Sequence, residues 1–262
     1  MRLTKRCIDL LWLLRAARWL TTRQVHQRFF AHATRNAAQK RLRKLTRAGY
    51  LRMVQEHRMS QALFTLGPEG KRLLAMRGVN EIILERRPPK QLEHFLGVND
   101  VRIAAELGAG LSYFFAFWEL PCVGWRYPVI PDAVFCFDGR TYAVEFDRGP
   151  EGLQFFVKTK IGVYLRGFTG FPITALIIVT EAESRMKSLA RTISNRGCPV
   201  LFTTLNLIRK QGISAPIFFQ SPDGRPITLS AKSPHPVSSP EEAFGTATST
   251  KQGGSSNLAT AS

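Results

Sequence analysis

The chain has 262 residues, 44% of them hydrophobic, and a formal charge of +18, which leaves room for one large or two small packed domains and points to nucleic acid or an anionic surface as partner. Cys7, Cys122, Cys136 and Cys198 show no CxxC or Cys/His spacing, so reduced, structural thiols in a cytoplasmic protein are expected. Arg15 and Arg18 interrupt the apolar start, which argues against a signal peptide, and no run reaches the ~18 apolar residues of a membrane span.

The charge is uneven. Residues 1–90 hold 21 Lys and Arg against 5 Asp and Glu, a net +16, whereas residues 91–262 hold 16 against 14, a net +2. In chain order, Cys7, Leu10, Leu11, Leu14 and Ala17 recur at helical spacing and predict a helix over 3–20. Thr21 or Thr22 can cap a second helix running to Phe30, and Thr34 a third. The third, RNAAQKRLRKLTRAG, puts Ala37, Ala38, Leu42 and Leu45 on its inner face and ends at Gly49. Strands are expected at 50–54 and 62–66 around a polar turn, then a helix over 69–76.

Three helices followed by a two-stranded hairpin is the order of a winged helix-turn-helix, and AAQKRLRKLTRAGYL resembles the third helix and wing approach of such domains. A helix of this kind offers Arg35, Asn36 and Gln39 to base edges, Arg to guanine and Asn or Gln to adenine. Arg23, Lys40, Arg43 and Lys44 suit phosphates, and His57 and Arg58 at the wing tip suit a minor groove. A membrane-surface protein is the poorer reading, because the basic residues fall on a helix-turn-helix rather than along an amphipathic stripe. Double-stranded DNA is the expected partner of residues 1–78.

Pro88-Pro89 within a charged stretch predicts a linker over 79–91. LEHFLGVNDVRIAAELG is helical, with His94 and Glu106 as candidate accessory groups for chemistry elsewhere. Strands are expected at 113–120 and 123–127, then two apolar runs flanking Asp138-Gly139, a dipeptide that favours a type I′ hairpin. With that turn Phe137 faces Arg140 and Asp132 faces Glu145, Cβ atoms about 4.5–5.5 Å apart. Asp147, two residues on, projects from the face of Glu145. Like charges set opposite each other destabilise a sheet, and Mg²⁺ or Mn²⁺, which take oxygen ligands, would offset that. A helix over 153–166 then places Phe156, Lys160 and Tyr164 on one face; Lys158 points away and is the second choice of lysine. An apolar β-branched strand (173–180), a helix (181–195) and another strand (199–204) follow. From Ser221 the composition turns to Ser, Pro, Thr and Gly, as in a disordered tail over 221–262.

The fold class expected is therefore α/β (α+β overall): a winged helix-turn-helix over 1–78, then an αβββαβ domain with a mixed sheet over 92–220. Acids on one face of a hairpin, followed by a helix bringing a lysine, resemble the PD-(D/E)xK core of restriction-endonuclease-like enzymes. More narrowly, PDAVF, VEFDRG, KIGVY and the His94 to Asn99-Asp100 spacing resemble the replication-relaxation family of bacterial plasmids and mobile elements. One departure is that Asp147 stands where the general nuclease motif has lysine. The resemblance implies nicking or relaxation of DNA at an origin-type site. Asp132, Glu145 and Asp147 would hold one or two divalent ions, and Lys160 would stabilise charge on the phosphate. Tyr164 invites a covalent alternative. The competing reading is a non-catalytic winged-helix regulator, or an accessory replication or mobilisation factor, whose degenerate nuclease-like domain forms a homodimer or holds replication or transfer proteins of the element.

Overall fold

The computed structural model describes residues 2–55, 60–79, 82–125, 129–149, 151–167, 173–193 and 199–229. Helix α1 (Lys5–Ala17) buries Leu10, Leu11 and Leu14. It stops three residues short of the predicted end because Arg18 takes a positive φ of 57° and turns the chain. The freed residues form β1 (Leu20–Thr21), too short for its pattern to show in sequence. Thr21 caps α2 (Thr22–Phe29) in a reciprocal capping box with Gln24, and Thr34 caps α3 (Arg35–Arg47) by accepting from the Ala37 amide. Ala38, Leu42 and Leu45 form the buried stripe of α3; Ala37, expected inside, is exposed. Gly49, at φ 74°, ends the turn after α3. Strands β2 (Leu51–Val54) and β3 (Leu63–Leu66) pair antiparallel, β1 adds to β3, and α4 (Pro68–Ala75) closes the winged helix.

The second unit starts with α5 (Leu92–Leu107) and continues through β4 (Leu111–Ala116), β5 (Ala133–Phe137) and β6 (Arg140–Asp147). A helical segment follows as α6 (Leu153–Phe156), a π-helical turn (Val157–Ile161) and α7 (Gly162–Gly167). Then come β7 (Ile173–Thr180), α8 (Glu183–Thr192), β8 (Val200–Thr204) and α9 (Leu205–Gln211). The five-stranded sheet runs β4-β5-β6-β7-β8. Its first three strands are antiparallel and β6, β7 and β8 are parallel, so the αβββαβ order and mixed sheet of the restriction-endonuclease-like class hold. The strand expected over 123–127 does not form in its described part: Leu120–Val123 is a 3₁₀ turn, and Gly124 follows it at a left-handed φ of 79° that breaks an extended backbone.

The two units are packed together. Trp19 and Leu63 of the winged helix join the core cluster on one face of the five-stranded sheet, and Ile103 of α5 joins the winged-helix core. Buried polar groups reinforce the junction. The Asn99 amide donates to the carbonyls of Ala17 and Trp19, both at 2.9 Å. Asp100, 2% exposed, accepts from Arg23, Gln24 and Arg209 at 2.7–2.9 Å. The stretch expected as a linker is partly anchored: Val79 and Ile82 are buried in the winged-helix core, and Glu85 pairs with Arg18. The stretch expected to begin the disordered tail is likewise built in. Phe218 bridges to Ile227, Leu229 is buried, and the Leu229 carbonyl accepts from the Tyr142 hydroxyl. The rest of that stretch, 230–262, lies outside the described residues. Among the described residues no helix is long and apolar enough to cross a membrane.

Candidate functional site

The tight turn after β5 is of the expected type: Asp138 and Gly139 have φ of 48° and 71°, both positive as type I′ requires. The ladder runs from Phe137↔Arg140 to Ala133↔Val144, so Asp132 and Glu145 face each other one step beyond it. Asp132 is fixed from two sides. Its Oδ2 accepts from the Phe146 amide at 2.7 Å, and its Oδ1 lies 2.8 Å from His94 Nε2. His94 reaches it because α5 approaches β6 closely at Gly97, where a Cβ would sit 2.1 Å from the Phe146 ring.

Glu145 is 2% exposed. Its Oε1 accepts from Lys160 Nζ at 2.5 Å and its Oε2 from the Tyr164 hydroxyl at 2.7 Å. Burial, then the charge of Asp132, push its carboxyl up to about 7, against the opposing pull of Lys160 and Tyr164. Burial and the Glu145 charge also drive the Tyr164 phenol up. The helical segment arrives through the π-turn, a local widening frequent at functional sites. Lys160 stands in that turn facing Glu145, and Lys158 is exposed, as its phase predicted.

The three-acid cluster expected from the sequence is reduced to a pair. Asp147 lines a cleft with His94, Glu151 and Lys160, but Arg185 of α8 donates to its Oδ2 at 2.7 Å and the Gly149 amide to its Oδ1 at 2.9 Å. Arg185 has no sequence signal beyond being a basic residue on an amphipathic helix. Among the described residues no three His, Cys, Asp or Glu side chains are grouped to hold a metal. Asp132 and Glu145 nevertheless fit one chemically: they are hard oxygen donors whose mutual repulsion a cation would relieve, and Mg²⁺ is often held by one or two carboxylates with water completing its shell. Asp147 is turned instead to Arg185 and the Gly149 amide. Glu106 pairs with Arg28 at 3.1 Å on the winged-helix side and is not an accessory acid of this site.

In the winged helix Arg35, Asn36, Lys40, Arg43 and Lys44 are exposed and Gln39 half-buried. Arg35, Gln39 and Arg43 line one wall of a groove of about 420 Å³, whose other wall is Met53, Gln55 and Ser60 at the wing. Arg23 is not free for phosphates: Asp100 holds its guanidinium through both carboxylate oxygens. His57 and Arg58 lie outside the described residues.

Among solved structures, the small subunit of a heterodimeric restriction endonuclease is similar over 47% of this chain and 68% of that one, at 9% identity and a TM-score of 0.32, a likeness too distant to support an argument about chemistry. No curated protein matches the chain. The model of the replication-relaxation family matches residues 11–169, a span that takes in the winged helix from the middle of α1 onward, the His94 to Asp100 stretch, the acidic hairpin, Lys160 and Tyr164. The chain belongs to the replication-relaxation family.

Proposed function

We propose that this chain is a DNA-binding protein of a plasmid or mobile element that recognises an origin-type site and nicks or relaxes DNA by metal-dependent phosphodiester cleavage. Family membership supports a DNA-related role, and the exposed basic face of α3 suits a duplex. The observation that carries the cleavage reading is the opposed Asp132–Glu145 pair, Glu145 buried and Asp132 half-buried, with Lys160 on Glu145 at the edge of an open cleft. A divalent cation held by the pair would lower the pKa of a bound water and polarise the scissile phosphate. The Phe146 amide and His94 hold Asp132 in place. Tyr164 orients Glu145 by donating its hydroxyl to Oε2. Lys160, freed from Glu145, is the cation to stabilise charge on the phosphoryl oxygens.

One observation favours the second reading, a non-catalytic regulator. Every carboxylate oxygen of Asp132, Glu145 and Asp147 already meets a donor within the chain. Supercoiled plasmid carrying the element's origin, incubated with Mg²⁺ or Mn²⁺, separates the two. The cleavage reading expects open circles from the native chain and none above background from Asp132→Ala. Nicking that survives this substitution would eliminate the carboxylate mechanism.

A further inference from the structure

We propose that Glu151 is the second resting place of the Lys160 ammonium, the partner it takes when a divalent cation occupies the space between Asp132 and Glu145. This deepens the cleavage reading and rests on it. Lys160 Nζ bonds to Glu145 Oε1, so a cation ligated by that oxygen must evict it by like-charge repulsion. The displaced ammonium is drawn to another carboxylate at the cleft. Asp132 is taken by His94 and the Phe146 amide, and Asp147 by Arg185 and the Gly149 amide. Glu151 remains. It lines the same cleft of about 180 Å³ as Lys160, and its Oε2 is buried with no hydrogen-bond partner among the described residues. A buried carboxylate oxygen without a donor is unfavourable and is expected to be satisfied in another state of the molecule.

Two further facts fit the move. Arg185, which clamps Asp147, also donates to the Glu151 carbonyl at 3.0 Å, so this residue's backbone is anchored beside the cleft. Lys160 can travel: its side chain is 43% exposed and its stem is flexible. The arrangement makes Lys160 a placeholder for the cation and Glu151 a positioning residue that holds the lysine over the loaded site.

Calorimetric titration of Mg²⁺ into the full-length chain tests this. Glu151→Gln should weaken Mg²⁺ binding about fivefold, the scale of one partly exposed ion pair. Lys160→Met should tighten it, and the double variant should bind as Lys160→Met does. Equal weakening by Glu151→Gln with and without Lys160 would overturn the inference, because Glu151 would then act on the cation itself. A metal-free cycle separates this from failure of the cleavage reading. With Glu145→Gln already in place, the lysine should turn to Glu151, so adding Glu151→Gln should lower Tm by a further ~2–4 °C, as loss of about 1 kcal/mol does in a chain this size, and by less when Glu145 is intact. Additive shifts in that cycle would overturn the alternative pairing whatever the Mg²⁺ result. A native chain that binds no Mg²⁺ would overturn the cleavage reading, while the cycle still decides the partner of the lysine.

Discussion

Replacing Glu145 with glutamine should make the protein more stable at pH 8 and erase a pH dependence of folding. The glutamine keeps the size and an acceptor for Tyr164 but removes the charge that burial and Asp132 both oppose. The carboxyl is raised from 4.5 to about 7 in the folded chain. Between those values the folded state holds a proton that the unfolded state has released, so stability falls as pH rises through the window and levels off above it. A shift of this size corresponds to about 3 kcal/mol at 1.36 kcal/mol per pH unit. The contribution of Lys160 is already contained in that upward shift, and its own titration lies well above the window. Urea denaturation from pH 4.5 to 8.5 in chelator, followed by far-UV circular dichroism, should show the variant gaining on the native chain as pH rises, to about 3 kcal/mol at pH 8. Mg²⁺ at about ten times its dissociation constant should then return about 1.4 kcal/mol to the native chain and little to the variant. A variant less stable than the native chain at pH 8 would refute the reasoning, because the Lys160 pair would then outweigh burial and the Asp132 repulsion.

Three further outcomes follow from other parts of the molecule. Asn36→Ala with Arg43→Ala should reduce affinity for duplex DNA, about 1–3 kcal/mol for each lost base contact and a shallower salt dependence for each lost phosphate contact. Gel-shift titrations at two salt concentrations check this, and unchanged affinity would discard α3 as the reading helix. Asp100→Asn should cost about 2 kcal/mol, discounted for the exposed sides of Arg23 and Arg209. It should also let the winged helix melt separately from the larger sheet, so calorimetry should show two transitions for the variant and one for the native chain. Gly97→Ala should cost about 1–3 kcal/mol by pushing α5 off the Phe146 ring, and the His94 ring resonances should cease to respond to Asp132→Asn.

How much was legible depended on how far apart in sequence the determining partners lie. The hairpin could be read outright, because Asp138-Gly139 permits two successive positive φ values and strand alternation then fixes the register to Asp132 and Glu145. Lys160 was legible from helical phase, although the turn holding it is π-helical. Asp147, expected to stand with Asp132 and Glu145, is paired elsewhere. The residue that neutralises it, Arg185, is 38 residues further on, delivered by a crossover that no local pattern describes. Arg23 failed in the same way: a basic residue on a helix-turn-helix resembles a phosphate contact until Asp100, 77 residues away, closes on it. Asn99-Asp100 was visible as a motif, but its use, tying the winged helix to α5, needed the fold. Helix α9 left a usable signal, Thr204 capping a run with Leu205 and Ile208 on one face, hidden because the strand before it ends at the cap residue itself.

The measurement that bears most directly on the pair is a Mn²⁺ titration of the full chain followed by electron paramagnetic resonance at pH 8. The account predicts bound Mn²⁺ that disappears in Asp132→Asn and persists in Asp147→Asn. Loss of the signal in both variants would restore the three-acid site, and undiminished binding in Asp132→Asn would contradict the account.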